Sequence, residues 1–86
     1  MSVEFSDEAI AQLFDWAKDD PRASKKILAL IADIQKHGLL QGTGQPERLK
    51  HRENVYSRRI NQKDRLVYKH DGKKLFIVSC RGHYED

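Results

Sequence analysis

The sequence is poor in the residues that build disulfide frameworks and metal centres. Its 86 residues include one cysteine, Cys80, so no internal disulfide can form and nothing requires an oxidising compartment. Cys80 lies in an apolar run, where we expect a small buried hydrophobe rather than a nucleophile. The chain has no Cys-x-x-Cys motif, no closely spaced histidine pair and no Asp/Glu cluster suited to a hard cation. We therefore expect any catalysis to use side chains alone, with no metal or cofactor.

The chain also lacks an apolar run long enough to cross a membrane. Its first residues include Glu4, Asp7 and Glu8, whereas a secretory signal has a basic region before an apolar one. We therefore expect a cytoplasmic protein without membrane contact. A chain of 86 residues is expected to form one domain, residues 1–86, which buries a modest core and is only marginally stable alone.

Charge is divided unevenly along the chain. Residues 1–44 contain five Lys/Arg and seven Asp/Glu, a net charge of −2, whereas residues 45–86 contain eleven and six, a net charge of +5. A basic second half beside an acidic first half indicates that one face binds a polyanion. From charge alone, a basic sheet that is simply solvated is an equally good interpretation.

The first helix is predicted from an N-cap signal followed by a helical apolar pattern. Residues 1–5 fit a short edge strand, and Ser6 suits an N-cap because acidic residues fill the next turn. The helix should end near Asp19. We assign one apolar stripe of this helix to the core: Ile10, Leu13, Phe14 and Ala17.

A second helix should begin at Pro21, because Asp20 suits the N-cap and proline suits the first helical position. Gly38 follows two basic residues and suits the position just after the last turn. The short link between the helices makes them an antiparallel pair. The core stripe of the second helix consists of Ala23, Ile27, Leu30, Ile31 and Ile34.

From residue 55 the apolar pattern changes from the helical period to a period of two. This change predicts three strands, at residues 55–60, 65–70 and 75–80, with a hairpin signal at residues 71–72. The predicted fold class is α+β, with two N-terminal antiparallel helices packed on one face of an antiparallel twisted β-sheet. The other face would present arginines. Strict alternation in the last strand puts Phe76, Val78 and Cys80 on one face, and Leu75, Ile77, Ser79 and Arg81 on the other.

Cleavage of RNA suits this set of residues, because RNA carries its own nucleophile. A base removes the proton of the 2′-hydroxyl, cations stabilise the phosphorane, and an acid protonates the leaving 5′-oxygen. The second half of the chain offers candidates for each part: Glu47, the arginines Arg58, Arg59 and Arg65, and finally His83 and Tyr84.

Each candidate also has an ordinary structural interpretation. Spacing alone favours a rim salt bridge for Glu47 and a solvated strand position for Arg65. Arg58 and Arg59 are neighbours in one strand and point to opposite faces, so at most one of them faces a given site. Residues 83–84 also fit a frayed C-terminal tail.

An ordered series of four segments resembles the YoeB/Txe family of toxins in the RelE superfamily. The segments are residues 46–51 (PERLKH), 56–60 (YSRRI), 65–68 (RLVY) and 80–84 (CRGHY). The resemblance covers nearly the whole chain, and the segments at these spacings are together quite specific, although no single one is decisive. It implies a RelE-like, microbial-ribonuclease-like α+β fold, which agrees with the predicted elements.

The resemblance implies that the chain is a ribosome-dependent mRNA endoribonuclease, the toxin of a type II toxin–antitoxin system. Members cut mRNA in the ribosomal A site and inhibit translation, and 2′-hydroxyl attack leaves a 2′,3′-cyclic phosphate and a 5′-hydroxyl. An antitoxin of the YefM/Axe type neutralises them, and operator DNA is bound only through the toxin–antitoxin complex. Whether the toxin forms a homodimer is left open by the sequence.

The resemblance also implies roles for single residues. The expected catalytic residues are Glu47 as general base, Arg65 as the transition-state arginine, His83 as general acid and Tyr84 as the tyrosine that orients substrate. The expected RNA-binding residues are Lys50, His51, Arg58 and Arg59. Among these, Lys50 and Arg59 match basic residues near the scissile phosphate.

The sequence departs from the family pattern near its C-terminal end. Glu85 and Asp86 follow the tyrosine, and Gly82 replaces a bulkier residue before His83. Negative charge close to a histidine favours its protonated form and repels phosphate. We therefore expect weaker or pH-shifted activity rather than none.

Two other functions stay open at this point. A ParE-like toxin has the same superfamily fold but inhibits DNA gyrase by binding, and the His83-Tyr84 terminus beside Glu47 argues against it. A non-catalytic relative would bind RNA on its basic sheet without cutting it.

Overall fold

The computed structural model describes residues 1–82, which form two helices packed on one face of a five-stranded sheet. The elements in chain order are β1 (Ser2–Phe5), α1 (Asp7–Asp19), α2 (Pro21–His37), β2 (Glu47–Arg48), β3 (Val55–Arg59), β4 (Arg65–His70) and β5 (Lys74–Ser79). The predicted α+β class is confirmed.

The predicted helix ends are confirmed, and each has an identifiable local cause. The Ser6 hydroxyl accepts a hydrogen bond from the Ala9 amide at 2.9 Å, which caps α1. The Asp20 carboxylate accepts from the Arg22 amide at 3.2 Å, and this caps α2. At the other end of α2, Gly38 has a φ of +99°, a left-handed conformation that glycine adopts without strain.

The sheet is mixed, with the strand order β1-β5-β4-β3-β2. Strands β2 to β5 pair antiparallel, and for β3, β4 and β5 this confirms the predicted meander. Strand β1 is an edge strand, also as predicted, but it runs parallel to β5, with Phe5 opposite Ile77. Strand β2 was not predicted, because its two polar residues carry no period-two apolar pattern.

The core assignment is right for α2, but in α1 it is right only for Leu13, which is partly buried against the core. All five apolar residues of the α2 stripe are buried. In α1, however, Ala9 and Trp16 are the buried residues, whereas Ile10 is 43% exposed and Phe14 is 70% exposed. The helix has apolar side chains on two faces. The inner face carries Trp16, whose indole N–H donates to the buried Cys80 carbonyl oxygen at 2.8 Å.

Strict alternation in the last strand is also wrong at one point. A β-bulge places Tyr68 opposite Ile77 and Val67 opposite Ser79, so Val78 is the extra residue of β5. The bulge reverses the alternation after Ile77. Cys80 therefore joins Leu75 and Ile77 in the core between sheet and helices, rather than facing the opposite side.

The two faces of the sheet have different surroundings. One face packs on the helices and contributes Tyr56, Leu66, Tyr68, Leu75 and Ile77 to the main core. The opposite face, which we call the open face, carries Glu47, Ser57, Arg59, Arg65 and Val67. It also holds a small apolar cluster of Leu49, Val55 and Val67, against which Val78 packs. In the part of the chain that the structure describes, no helix is long and apolar enough to cross a membrane.

Candidate active site on the open face

Glu47 lies on the open face because of its register with the neighbouring strand. It is directly opposite Ser57 in the antiparallel β2–β3 pair, and directly opposed residues project from the same face. The Glu47 side chain is exposed. It is therefore accessible to a ligand that lies across the sheet.

Two arginines lie on the same face of the sheet, two residues along the strands from Ser57. Arg59 is directly opposite Arg65 in the β3–β4 pair, and Ser57, which neighbours Glu47, is two residues before Arg59. From the usual strand spacing and rise, the Cα atoms of Glu47 and Arg65 are roughly 12 Å apart. Extended glutamate and arginine side chains can therefore meet at a single phosphodiester group. Two like charges directly opposite each other also favour an anion between them.

One nitrogen of the Arg65 guanidinium has no hydrogen-bond partner in the described part of the chain. Within residues 1–82, its Nη1 atom is buried and makes no hydrogen bond. Buried polar atoms in native proteins are nearly always paired, so a guanidinium nitrogen that lacks a partner among the described residues makes Arg65 a candidate for ligand binding. A phosphate fits best, since the planar guanidinium donates in the geometry that phosphate oxygens accept.

The last described residues are fixed against Arg65. The Arg65 amide donates to the Gly82 carbonyl oxygen at 3.0 Å, and the Gly82 amide donates to the Asp64 carboxylate at 2.8 Å. One residue earlier, the Arg81 guanidinium lies 4.2 Å from the Trp16 ring centroid and is bonded to Asp19 at 2.9 Å. These contacts tie the end of the described chain both to β4 and to α1.

His83 and Tyr84, the predicted acid and substrate-orienting tyrosine, lie outside the described residues. The same is true of Glu85 and Asp86. Their roles and the expected effect of the acidic residues on His83 stay predictions.

Lys50 and His51 belong to the β2–β3 connection and are exposed. Residues 48–53 line an open groove of about 440 Å³. The groove contains four basic residues: Arg48, Lys50, His51 and Arg52. It adjoins Glu47 along the chain, so a polyanion held in this groove is close to the predicted base.

Arg58 is the exception among the predicted RNA-binding residues, and this prediction is wrong. Its side chain is fully buried. Its guanidinium binds the Asp33 carboxylate, and its Nε donates to the Tyr68 hydroxyl at 3.1 Å. Since β3 alternates, Arg59 faces the open side and Arg58 faces the helices. Arg58 therefore cannot contact RNA.

The partners of Arg58 were not predicted from the sequence. Asp33 belongs to the polar side of α2, and its carboxylate accepts from the Thr43 amide at 3.0 Å. This hydrogen bond holds the pKa of Asp33 below its usual value of 3.8, with a further contribution from Arg58, although desolvation opposes both. An isolated acid on a helix gives no local signal of such a role, because its partners are distant in the sequence.

Cys80 is buried, as predicted. Burial raises the pKa of its thiol to about 11, so the thiol stays protonated near neutral pH. Among the described residues, no group of three or more His, Cys, Asp or Glu side chains is arranged to hold a metal ion.

The fold and this site together define a class: a small α+β domain with a carboxylate and paired arginines on the open face of its sheet. Comparison with known proteins narrows the class. Residues 5–84 match the family model described as YoeB-like toxin of bacterial type II toxin-antitoxin system. The chain belongs to this family of toxins.

Curated relatives extend over nearly the whole chain. The chain is 39% identical to Toxin YoeB of Escherichia coli (strain K12) over 85 residues, which cover 98% of this chain and 100% of the relative. It is 40% identical to Toxin YoeB of Streptomyces coelicolor, with the same coverage.

Solved structures give the same result for the fold. The YoeB dimer from Staphylococcus aureus has a TM-score of 0.92 and 38% identity, with 98% of each chain covered. A heterotetrameric YoeB–YefM toxin–antitoxin complex from the same organism has a TM-score of 0.88 and 39% identity, again with 98% of each chain covered. The YoeB/ParE toxin from Agrobacterium tumefaciens has a TM-score of 0.90 and 31% identity, covering 98% of this chain and 100% of that one.

Proposed function

We propose that this toxin is a ribosome-dependent endoribonuclease that cuts mRNA by metal-independent acid–base chemistry. The observation that carries the proposal is the open face, where the register brings Glu47, Arg59 and Arg65 to one side of the sheet. A base beside cations is the arrangement that cleavage by the 2′-hydroxyl requires. The proposal places the protein in the cytoplasm, where mRNA is translated.

In the proposed mechanism, Glu47 removes the proton from the 2′-hydroxyl, and the resulting oxygen attacks the adjacent phosphorus. Arg65 donates from its guanidinium to the phosphorane, whose extra negative charge it stabilises. His83 gives a proton to the leaving 5′-oxygen, and Tyr84 orients the substrate. The products are a 2′,3′-cyclic phosphate and a 5′-hydroxyl, and DNA is not cut because it lacks the attacking group.

The anchoring of Gly82 supports the assignment of His83. Gly82 is hydrogen-bonded through its backbone to both Asp64 and Arg65, and His83 is the next residue in the sequence. The proposed acid therefore follows a residue that is fixed beside the proposed phosphate-binding arginine. Lys50, His51 and Arg59 would hold the RNA backbone, with a contribution that falls as salt rises.

The requirement for a 2′-hydroxyl gives a direct test of this chemistry. Two mRNAs would be compared in a purified translation system, one all-ribose and one with a single 2′-deoxyribose on the 5′ side of the cut. We expect the wild-type toxin to cut only the first, and Glu47→Gln to cut that substrate only at a small residual rate. Glu8→Gln is the matched control, since Glu8 is also exposed but belongs to α1, away from the open face, and this variant should cut normally. Cutting of the deoxy substrate would contradict the proposal.

We also propose that an antitoxin of the YefM type binds this chain. A relative has been solved with YefM, and the chain carries an apolar groove of about 380 Å³ on the outer side of its helices. The groove is lined by Ile10, Leu13, Phe14, Ala17, Ser24 and Leu28. An exposed apolar surface of this kind in a small domain fits a protein partner better than RNA.

Phe14→Glu should weaken antitoxin binding without changing mRNA cleavage. Loss of self-association with unchanged antitoxin binding would instead assign the groove to a homodimer.

A further inference from the structure

The guanidinium of Arg58 is the centre of a buried polar network. Its three nitrogens all donate: Nε to Tyr68, Nη1 to Asp33 and to one backbone carbonyl, and Nη2 to two further carbonyls. The backbone acceptors are the carbonyl oxygens of Gly38, Gln41 and Thr43, at 2.6 to 2.9 Å. Arg58 thus binds one loop at three places.

That loop, residues 38–46, connects α2 to β2 and has no regular hydrogen-bonding pattern of its own. Backbone carbonyls in such a segment need donors from elsewhere when they are removed from water. The network supplies them, since the Tyr68 hydroxyl also donates to the Leu39 carbonyl at 2.6 Å. Asp33 accepts from the Thr43 amide, so the network fixes both donors and acceptors of the loop.

The network continues to the strand that carries the proposed base. The Arg59 amide donates to the Gly44 carbonyl oxygen at 2.7 Å, and Glu47 follows three residues later. Strand β2 consists of only two residues, so its own pairing with β3 fixes Glu47 weakly. The position of Glu47 therefore depends on the loop that precedes it.

A buried ion pair is an inefficient way to gain stability, because desolvation of the charges offsets most of their attraction. Apolar residues of similar volume usually stabilise a core at least as well. A fully buried arginine that binds three loop carbonyls therefore suits a loop that must adopt one particular geometry.

We infer that Arg58 is a positioning residue for the reaction: with Asp33 and Tyr68, it holds loop 38–46 so that Glu47 stands opposite Ser57 on the open face. The inference rests on the proposed role of Glu47 as base. Arg58 itself touches no substrate, because it is enclosed on the helix side of the sheet.

A substitution at Gly42 can disturb the network without removing any of its members. A Cβ atom at Gly42 would overlap the Asp33 carboxylate and lie 3.2 Å from Arg58 Nη1. Gly42→Ala therefore displaces the Asp33–Arg58 contact. Gly72→Ala is the matched control, since Gly72 has a similar φ, +96° against +106°, but a Cβ there would meet nothing within 4 Å. Both variants carry the same kind of backbone strain.

The experiment measures kcat and KM for ribosome-dependent mRNA cleavage. We expect Gly42→Ala to lower kcat by about 10- to 100-fold with KM unchanged, because small misplacements of a catalytic group are that costly. Gly72→Ala should stay within about twofold of wild type. Asp33→Asn, which keeps the shape but removes the charge, should lower kcat in the same direction and serves if Gly42→Ala does not fold.

A double-mutant cycle distinguishes positioning from a general structural role. In a Glu47→Gln background, Gly42→Ala should cause no further loss of activity, because no base is left to misplace. Multiplicative losses would overturn the inference. A failure of the proposed function would give other results: the wild type would not cut mRNA, or Glu47→Gln would cut as fast as wild type. Either result would also contradict the inference about Arg58.

Discussion

Arg58 and Arg59 show that a shift of one position in a strand decides whether a side chain is buried or exposed. The two residues have the same side chain and adjacent positions, yet one is fully buried and the other is exposed on the open face. Alternation predicted that they would face opposite sides, and that prediction is confirmed. Which of them faces inward could not be read from the sequence, because the deciding partners, Asp33 and the loop carbonyls, are distant in the chain.

At this scale, the most informative substitution is Arg65→Lys. Lysine keeps the charge but offers a single ammonium group in place of the planar guanidinium, so it loses the paired donors for phosphate oxygens. We expect kcat to fall roughly 10²-fold, the order seen when a transition-state donor is removed. Single-turnover cleavage on programmed ribosomes measures this loss.

Arg22→Lys is the control for Arg65→Lys, since Arg22 is an exposed residue of α2 and should tolerate the same change. Equal activities for Arg65→Lys and wild type would show that the unpaired Nη1 of Arg65 is not used in the reaction.

For single helices and strands, cap residues and turn signals predicted the ends of the elements correctly. The buried face of α1 was not predicted correctly. The ends of α1 and α2 follow from Ser6, Asp20 and Gly38, each of which acts locally. The inner face of α1 depends on which apolar side reaches the Cys80 carbonyl, just after β5. The reversal of alternation at Val78 likewise comes from pairing between β4 and β5, which no local pattern encodes.

Trp16 and Phe14 give a direct comparison of the two faces of α1. Trp16→Phe removes the hydrogen bond to the buried Cys80 carbonyl and reduces the stacking surface for Arg81. We expect the free energy of unfolding to fall by about 1–3 kcal/mol, the cost of leaving a buried acceptor unpaired. Phe14→Ser, on the exposed face, should change it by no more than about 0.5 kcal/mol. Urea unfolding of both variants checks the order, and a larger loss for Phe14→Ser would contradict the assignment.

Asp33 makes the loop network sensitive to acid. Its pKa is lower in the folded chain than in the unfolded one, so its stabilising contribution is complete above the unfolded value of about 4. That contribution is lost as the pH falls through the lower folded value. The stability difference between wild type and Asp33→Asn should therefore be largest at neutral pH and shrink below pH 4. A difference that is the same at pH 7 and pH 3 would argue against the charge-dependent contact.

At the scale of the whole molecule, the charge division and the fold class were the most predictable features. The excess of basic residues after residue 45 falls on the sheet and its connections, because those residues build β2 to β5. A sheet face that presents arginines could be predicted, since the period of two in the strands sets which residues share a face. Its register could not be predicted, because the pairing of Glu47 with Ser57 depends on loop 38–46 and on a strand that has only two residues.

The basic surface predicts how binding depends on salt. Each phosphate contact releases about one counterion, so the logarithm of the binding constant falls linearly with the logarithm of salt concentration. Lys50→Gln and Arg59→Gln should each weaken binding to RNA or ribosomes and reduce that slope by about one. Glu47→Gln provides the contrast, because it should remove cleavage without reducing the slope. A slope unchanged in both basic variants would remove these residues from the RNA-binding surface.

We propose that this chain cuts mRNA on the ribosome through side chains at the open face and the C-terminal histidine. Primer extension on mRNA in a purified translation system tests this most directly, with wild type, His83→Gln and the control His70→Gln, at the far end of β4, in parallel. We expect cuts in the A-site codon that require ribosomes, persist in His70→Gln and disappear in His83→Gln. An absence of cuts with folded wild-type protein, or cuts that survive in His83→Gln, would contradict it.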